Sequence, residues 1–497
     1  MRGNCRTSGT LRKEEGGNVF GLGSRTPIAL TLLVKKPSAE QQKAKIYYYE
    51  IGSFLTKEQK LAELKRLGSV LNEQLQLSSI TPSKDSDWIN KKDDLFQTFI
   101  PLGDKKNEEV KTIFVPFYSL GCATARDVWC YNFSSNELAK NMASMIKYYN
   151  ESVQQTKNTY FEYDSTRISW SHGLKEKASK NISIRYDPKC ITYSIYRPFC
   201  KEFFFYYKPV IQRTYQISKI FPNPQLKNLV ICTPSIGANS FSVLIANEIP
   251  DLHVLESGTQ CFPLYYYEVN QAQAGLYETE KDSEYIRYEG ISDFALETAQ
   301  ILYSKKVSKE DIFYYIYGLL HSPEYRDRFK ADLTKMLPRV AFVEEAKAFK
   351  AIAKIGEKLA DLHLNYETAE PYKNVIVTIE QPVYTVEQMR FAKIKDEKGK
   401  TVDDKRTIIV NRYIKIEEIP LQAYEYVVNG KSPLEWALER YSYTVDKKSG
   451  ITNDPNAWGN EHDDPKYILN LLLKLITVSV ETVNLVAKLP KLDFIKD

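Results

Sequence analysis

Residues 16–36 read GGNVFGLGSRTPIALTLLVKK. Glycines so closely spaced suggest one chemistry at once, a loop of backbone N–H groups holding a nucleotide phosphate or a methyl-donor cofactor. A loop of that kind follows a strand and opens a helix, so that free amides and the helix dipole face the anion. Here the order is reversed, with the glycines first and the strand-like residues 28–35 after them. Two other clusters bear on catalysis. EEAKAFK at 344–350 ends like the acidic-x-Lys part of a nuclease site, but it sits in a helical pattern without an upstream strand aspartate. Ordinary solvated helix charge accounts for it. NEHDD at 460–464 offers an imidazole and carboxylates to a metal, in a loop whose Gly, Asn, Pro and Asp residues serve turn geometry. His172, His253, His321 and His363 are scattered singly and make no triad or zinc pattern.

The segment 167–227 carries the strongest constellation. Twelve Lys/Arg stand there against three Asp/Glu, interleaved with twelve aromatics. Cations of this density neutralise phosphates, and Arg also reads guanine edges with two hydrogen bonds. The rings stack on bases or build the core beneath a basic surface, and the core reading is the better account of most of them. Lys175, Lys177, Lys180, Arg197, Lys201 and Arg213 are therefore the candidate DNA contacts.

Several elements must position these residues. Residues 28–35 and 45–52 read as two adjacent strands. Leu61, Leu64, Leu67 and Leu71 give residues 57–77 a helical spacing, with Thr56 as N-cap. The polar residues 78–94 read as a linker. A larger body follows, mixing short strands with helices over 134–150, 311–320, 325–337 and 344–364, and a late hairpin turns at Gly399. Without regular βαβ alternation this body is α+β.

Composition frames the partners. The net charge of +5 conceals 13 basic against 6 acidic residues over 1–66, so the remainder outside the two basic stretches is acidic. Locally basic and otherwise mildly acidic chains suit a defined polyanion face. The 35 Tyr beside 22 Phe favour extended structure and wet, amphipathic surfaces. Seven cysteines without C-x-x-C spacing read as reduced thiols. No secretory signal opens the chain, and residues 467–489 are interrupted by Asn470, Lys474, Glu481, Asn484 and Lys488, so they read as a core helix. A cytoplasmic protein without a membrane partner is the expectation.

Six blocks resemble one known family. RGNCRTSGTLRKEEGGNVFGLGSRTPIALTLLVKK looks like the end of the catalytic domain of an adenine-N6 DNA methyltransferase. FVPFYSLGCATARDVWCYNFS, ISWSHGLKEKASK, IYRPFCKEFFFYY, YIYGLLHSPEYRDRF and VNGKSPLEWALERYSYTVDKKSGITNDPNAWG resemble the specificity domain that follows it in the type I single-polypeptide (type ISP) restriction-modification enzymes. The resemblance implies an α/β methyltransferase remnant with an incomplete mixed sheet at 1–77, a linker at 78–94 and a large α+β target-recognition domain at 95–497. It also implies that duplex DNA is the partner and that most of the methyltransferase lies upstream, in a separately encoded methyltransferase, translocase and nuclease chain or nowhere. Asn18, Gly21, Gly23 and Arg25 would then shape the DNA side of the missing active site, or the glycines would serve a turn of positive φ.

Full members use S-adenosylmethionine, ATP and magnesium. This chain has no Pro-Pro pair for the catalytic Asn/Asp-Pro-Pro-Tyr loop, no cofactor loop after a first strand and no G-x-x-x-x-G-K-[ST]. No cofactor and no catalytic residue are therefore expected in it alone. A self-sufficient methyltransferase with an atypical site, or a decayed protein-interaction adaptor, are the alternatives.

Overall fold

The computed structural model describes residues 2–7, 9–20, 24–35, 44–107, 109–155, 164–270, 284–397 and 399–495. Its N-terminal part is small and locally built. The helix Lys57–Leu67 starts at Thr56, whose hydroxyl accepts from Gln59 N while the Gln59 side chain accepts from Thr56 N. It ends eleven residues later because Gly68 takes φ 64° and its N–H closes on Leu64 O. The helix expected to reach residue 77 therefore stops at Leu67, and Leu71 stands 87% exposed. Lys60, fully buried, donates to the carbonyls of Arg2, Glu15 and Gly17 at 3.1, 2.5 and 2.8 Å. One ammonium thus gathers three chain segments.

The expected pairing of 28–35 with 45–52 does not occur. Ile46–Tyr48 pairs antiparallel with Ser78–Ile80, inside the stretch read as a linker. Residues 28–35 belong to no strand, and Leu30, Leu32, Leu33 and Val34 are 69–84% exposed. The rest of 78–94 is held to the body by ion pairs of Lys335 with Asp87 (2.9 Å) and Arg328 with Asp93 (3.0 Å).

The larger body mixes helices with several small sheets around two cores, as the α+β expectation required. In the first core a four-stranded sheet runs in the order Ile249–Pro250, Ile191–Arg197, Cys200–Phe205, Tyr131–Asn132, the first pair parallel and the others antiparallel. The helix Ser135–Gln155 packs on it, and Ser134 caps that helix by accepting from Glu137 N at 3.0 Å. The hairpin around Gly399 (φ 72°) joins Arg390–Lys395 to Thr401–Ile409 in a second sheet of four strands. Tyr467–Val486 closes this core through Leu471, Leu472, Leu475, Ile476 and Val478. By length and composition that helix could cross a membrane, yet 56% of its apolar window is buried in the protein.

The second core centres on Lys309–His321 and Ala346–Leu364, the most extensively packed pair of helices. Ser308 and Ser322 cap the segments on either side of the expected break at HSPE. Gly318 and Gly356 face each other across the pair. A Cβ on Gly356 would lie 1.9 Å from Tyr314 O, and one on Gly318 2.5 Å from Ile352 O. Alanine ordinarily stabilises a helix interior by about 0.5–1 kcal/mol over glycine. Here overpacking dominates, so Gly356→Ala is expected to destabilise the protein by about 1–3 kcal/mol in a denaturant titration.

Glu202, on the inner strand of the first core, is 2% exposed and accepts from Asn453 Nδ2 at 3.0 Å. Burial pushes its carboxyl up to about 7 from an ordinary 4.5. The folded state therefore keeps a proton that the unfolded state releases between those values. Stability should fall as pH rises through this window, by about 3 kcal/mol, and level off above it. Glu202→Gln should flatten that slope in thermal melts taken from pH 4.5 to 8.

Candidate nucleic-acid interface

The basic segment folds into a rigid frame with cations at its rim. Its hairpin, Ile191–Arg197 with Cys200–Phe205, is buried on both faces of its second strand: Phe203, Phe204 and Phe205 are all inside. Phe204 stacks on Tyr131 with ring centres 4.5 Å apart and planes 9° apart, and Phe205 lies parallel to Tyr186 at 5.7 Å. Of the twelve aromatics only Tyr193 is exposed, at 39%. The rings are core.

The six expected DNA contacts separate into two groups. Arg197 and Lys201 are held internally. Arg197 Nη1 donates to Asp251 Oδ1 at 2.7 Å and to Tyr196 O at 2.5 Å, with its guanidinium 3.9 Å from the centre of the Tyr196 ring. Asp251 is buried and also accepts from Tyr131 Oη and His253 N. Lys201 Nζ lies 2.6 Å from Glu367 Oε2, whose other oxygen accepts from Tyr467 Oη. Such engagement fixes the hairpin and occupies both side chains within the protein.

The other four gather elsewhere. Lys175, Lys177 and Lys180 belong to the helix His172–Ser179 and its C-cap, which Ser171 opens and which Leu174 and Ala178 anchor in the core. Lys175 and Lys180 face solvent, and Lys180 pairs with Glu176 one turn earlier at 2.6 Å. Lys177 is half-buried and donates to Pro209 O at 2.6 Å; burial, then neighbouring Arg126, lowers its proton affinity. Arg213 is exposed in the adjacent strand-like stretch, bridged antiparallel to Ala123.

Arg126 is the residue that sequence reasoning missed. It is 3% exposed, and its guanidinium donates to the carbonyls of Thr124 and Ser169, to Val210 O and to the Ser171 hydroxyl. It thereby ties the start of the basic helix to the stretch that carries Arg213. A signal lay in the sequence CATARDVW, where Thr124 and Asp127 bracket the arginine and hydrogen-bond each other, but nothing local shows the distant carbonyls.

The N-terminal turn behaves as structure. Asn18 Nδ2 donates to Gly3 O and Thr26 O at 3.0 and 2.8 Å, and its Oδ1 accepts from Phe20 N. Arg25 is exposed, and its carbonyl accepts from Cys5 N. Gly21 and Gly23 lie outside the described residues. In NEHDD, Glu461 accepts from Ser134 Oγ and Ser135 N at the start of a helix, and His462 Nδ1 donates to Trp458 O. Those side chains hold the frame together.

Comparison with known proteins agrees with this architecture. No curated protein is significantly similar to the chain. The family model described as the Type ISP C-terminal specificity domain matches residues 112–471. Among solved structures, a nuclease-deletion mutant of the Type ISP restriction-modification enzyme LlaGI in complex with a DNA substrate mimic is 35% identical, with a TM-score of 0.81. The ATP-dependent Type ISP restriction-modification enzyme LlaBIII bound to DNA is also 35% identical, with a TM-score of 0.83. A DrdV–DNA complex is 29% identical with a TM-score of 0.79. Each match covers 99% of this chain but only 36%, 30% and 47% of the other, so this chain spans less than half the length of each. The match of the family model over residues 112–471 makes this chain a member of the Type ISP restriction-modification family, with those residues corresponding to its C-terminal specificity domain.

Proposed function

We propose that the chain reads a short sequence in duplex DNA as the target-recognition part of a restriction-modification enzyme, and that the chemistry resides in segments outside it. The observation that carries this reading is the set of solvent-facing cations around the basic helix and Arg213, in a chain whose similar solved structures hold DNA. Contacts to phosphates would set register, and contacts to base edges would set sequence. Arg213 is the candidate base reader and Lys175 and Lys180 are candidate phosphate contacts.

Residues 1–77 are proposed as the end of a methyltransferase catalytic domain, with 78–94 as the connection and 95–497 as the specificity domain. The exposed apolar run at Leu30, Leu32, Leu33 and Val34 supports this, since a run so apolar would suit burial inside a larger sheet. Asn18, Gly21, Gly23 and Arg25 would then lie toward that domain's DNA side. S-adenosylmethionine, ATP and magnesium belong to the full-length enzyme in this reading, the remaining machinery to a separate chain where one exists, and the compartment is the cytoplasm.

Fluorescence anisotropy with matched and random duplexes tests the DNA face. The logarithm of affinity should fall linearly with the logarithm of salt concentration. Lys175→Ala should weaken both duplexes alike, whereas Arg213→Ala should cost about 1–3 kcal/mol on the matched one and relax base preference. Titrations indistinguishable from wild type for both variants would remove this face from the DNA.

The division of labour has its own test. Incubation with labelled S-adenosylmethionine and duplex should leave the DNA unlabelled, and label on adenine would instead favour a self-sufficient methyltransferase. Hydrogen exchange at residues 29–35 should be fast in the chain alone and slow once a methyltransferase portion is supplied in trans. Equal rates in both samples would dismiss the remnant.

A further inference from the structure

Between the helix His172–Ser179 and residues 209–212 runs a groove of about 330 Å³. Lys177, Lys180 and Gly173 line one wall, Pro209 and Gln212 the other, and Arg126 contributes from the interior. Three cations line it against one carboxylate, Glu176, which is already paired with Lys180. The hydrogen-bond partners of Arg126 are carbonyls and a hydroxyl, all neutral, and Lys177 donates to a carbonyl. No carboxylate among the described residues forms an ion pair with either of them. Asp127 acts on Arg126 and Glu176 on Lys177 only from beyond ion-pair distance, so two like charges withdrawn from water are stabilised further by an anion in the groove. Burial, then the charge of Arg126, lowers the proton affinity of Lys177 against the opposing pull of Glu176.

The groove runs along the helix, from Ser171 and Gly173 at its start to Lys177 in its last turn and Lys180 at its C-cap. Gly173 offers no side chain to fill it: the nearest atom to a Cβ placed there would be Gln212 Oε1, at 3.6 Å. We propose that this groove seats one tetrahedral oxyanion, a single backbone phosphate of the bound duplex, with Lys177 and Lys180 as ligands and Arg126 as the fixed charge behind them. The proposal rests on the DNA-recognition reading above and assigns one phosphate to one place in it.

Two measurements on the full chain separate the proposal from that reading. In the first, inorganic phosphate is added and the melting temperature followed. Phosphate should raise it for wild type and not for Lys177→Gln. In the second, duplex binding is titrated at several salt concentrations. Lys177→Gln should weaken matched and random duplexes equally and lower the magnitude of the salt slope by about 1. Lys180→Gln, altered at an exposed side chain, carries the same slope test should Lys177→Gln fold poorly. A wild-type melting temperature indifferent to phosphate, or an unchanged salt slope in both variants while DNA still binds, would overturn the phosphate seat and leave DNA recognition intact. A chain that responds to phosphate through Lys177 but binds no duplex would sink the DNA reading and identify the groove as a site for free phosphate.

Discussion

The carboxylate of Asp251, 1% exposed, holds the centre of the recognition frame. It accepts from Arg197, Tyr131 and the backbone of His253, so its charge is matched on three sides. Its own N–H donates to Ile195 O, and the residues flanking it exchange hydrogen bonds with Cys122. Gly121 permits this approach, since a Cβ there would lie 2.5 Å from Asp251 O. Two and four residues beyond Cys122, Thr124 and Arg126 meet Gln212 and Val210. A charge buried in the sheet is thus linked, through one short stretch of chain, to the helix at the surface. Breaking a buried pair of this kind typically costs about 3–5 kcal/mol because the remaining charge is stranded. The basic rim inherits its shape from that constraint.

What the sequence disclosed about the fold was local. Thr56 was legible as a helix start because capping is settled within three residues, and Ser134, Ser308 and Ser322 cap helices in the structure by the same local geometry. The turn at Gly399 was legible for the same reason, since a left-handed glycine between two strand-like runs specifies a hairpin. Strand partners were not legible. Ile46–Tyr48 prefers Ser78–Ile80 to the more apolar residues 28–35, and no pattern within either stretch encodes that choice.

The site was legible as chemistry and obscure as geometry. Charge and aromatic density singled out residues 167–227, and the rings are buried as expected. Arg197 and Lys201 look no different in sequence from Lys175 and Arg213, yet their carboxylates come from 54 and 166 residues away. A cation's role depends on whether a buried anion reaches it first, and that is a tertiary fact. Arg126 escaped notice for the complementary reason. It stands outside the dense segment, and three distant neutral acceptors, with Thr124 O nearby, hold it in place.

The attachment of the N-terminal part follows the same logic at larger scale. Asn4 Nδ2 reaches Asn239 Oδ1 at 2.9 Å, and Asn239 and Asn429 both engage Glu256. Beside them Gly9 sits so close to Gly430 that a Cβ on the former would lie 1.6 Å from the latter's carbonyl oxygen. Contacts this short, with Asn429 and Gly430 both at positive φ, define a single docking geometry and tolerate little sliding. The joint is polar and tight where the N-terminal part meets the body, whereas Leu30, Leu32, Leu33 and Val34 stay in solvent. Apolar burial of four such side chains is worth several kcal/mol in total, at about 1.5–3 kcal/mol each. The body fixes where this part sits, and the exposed apolar run lies outside that joint.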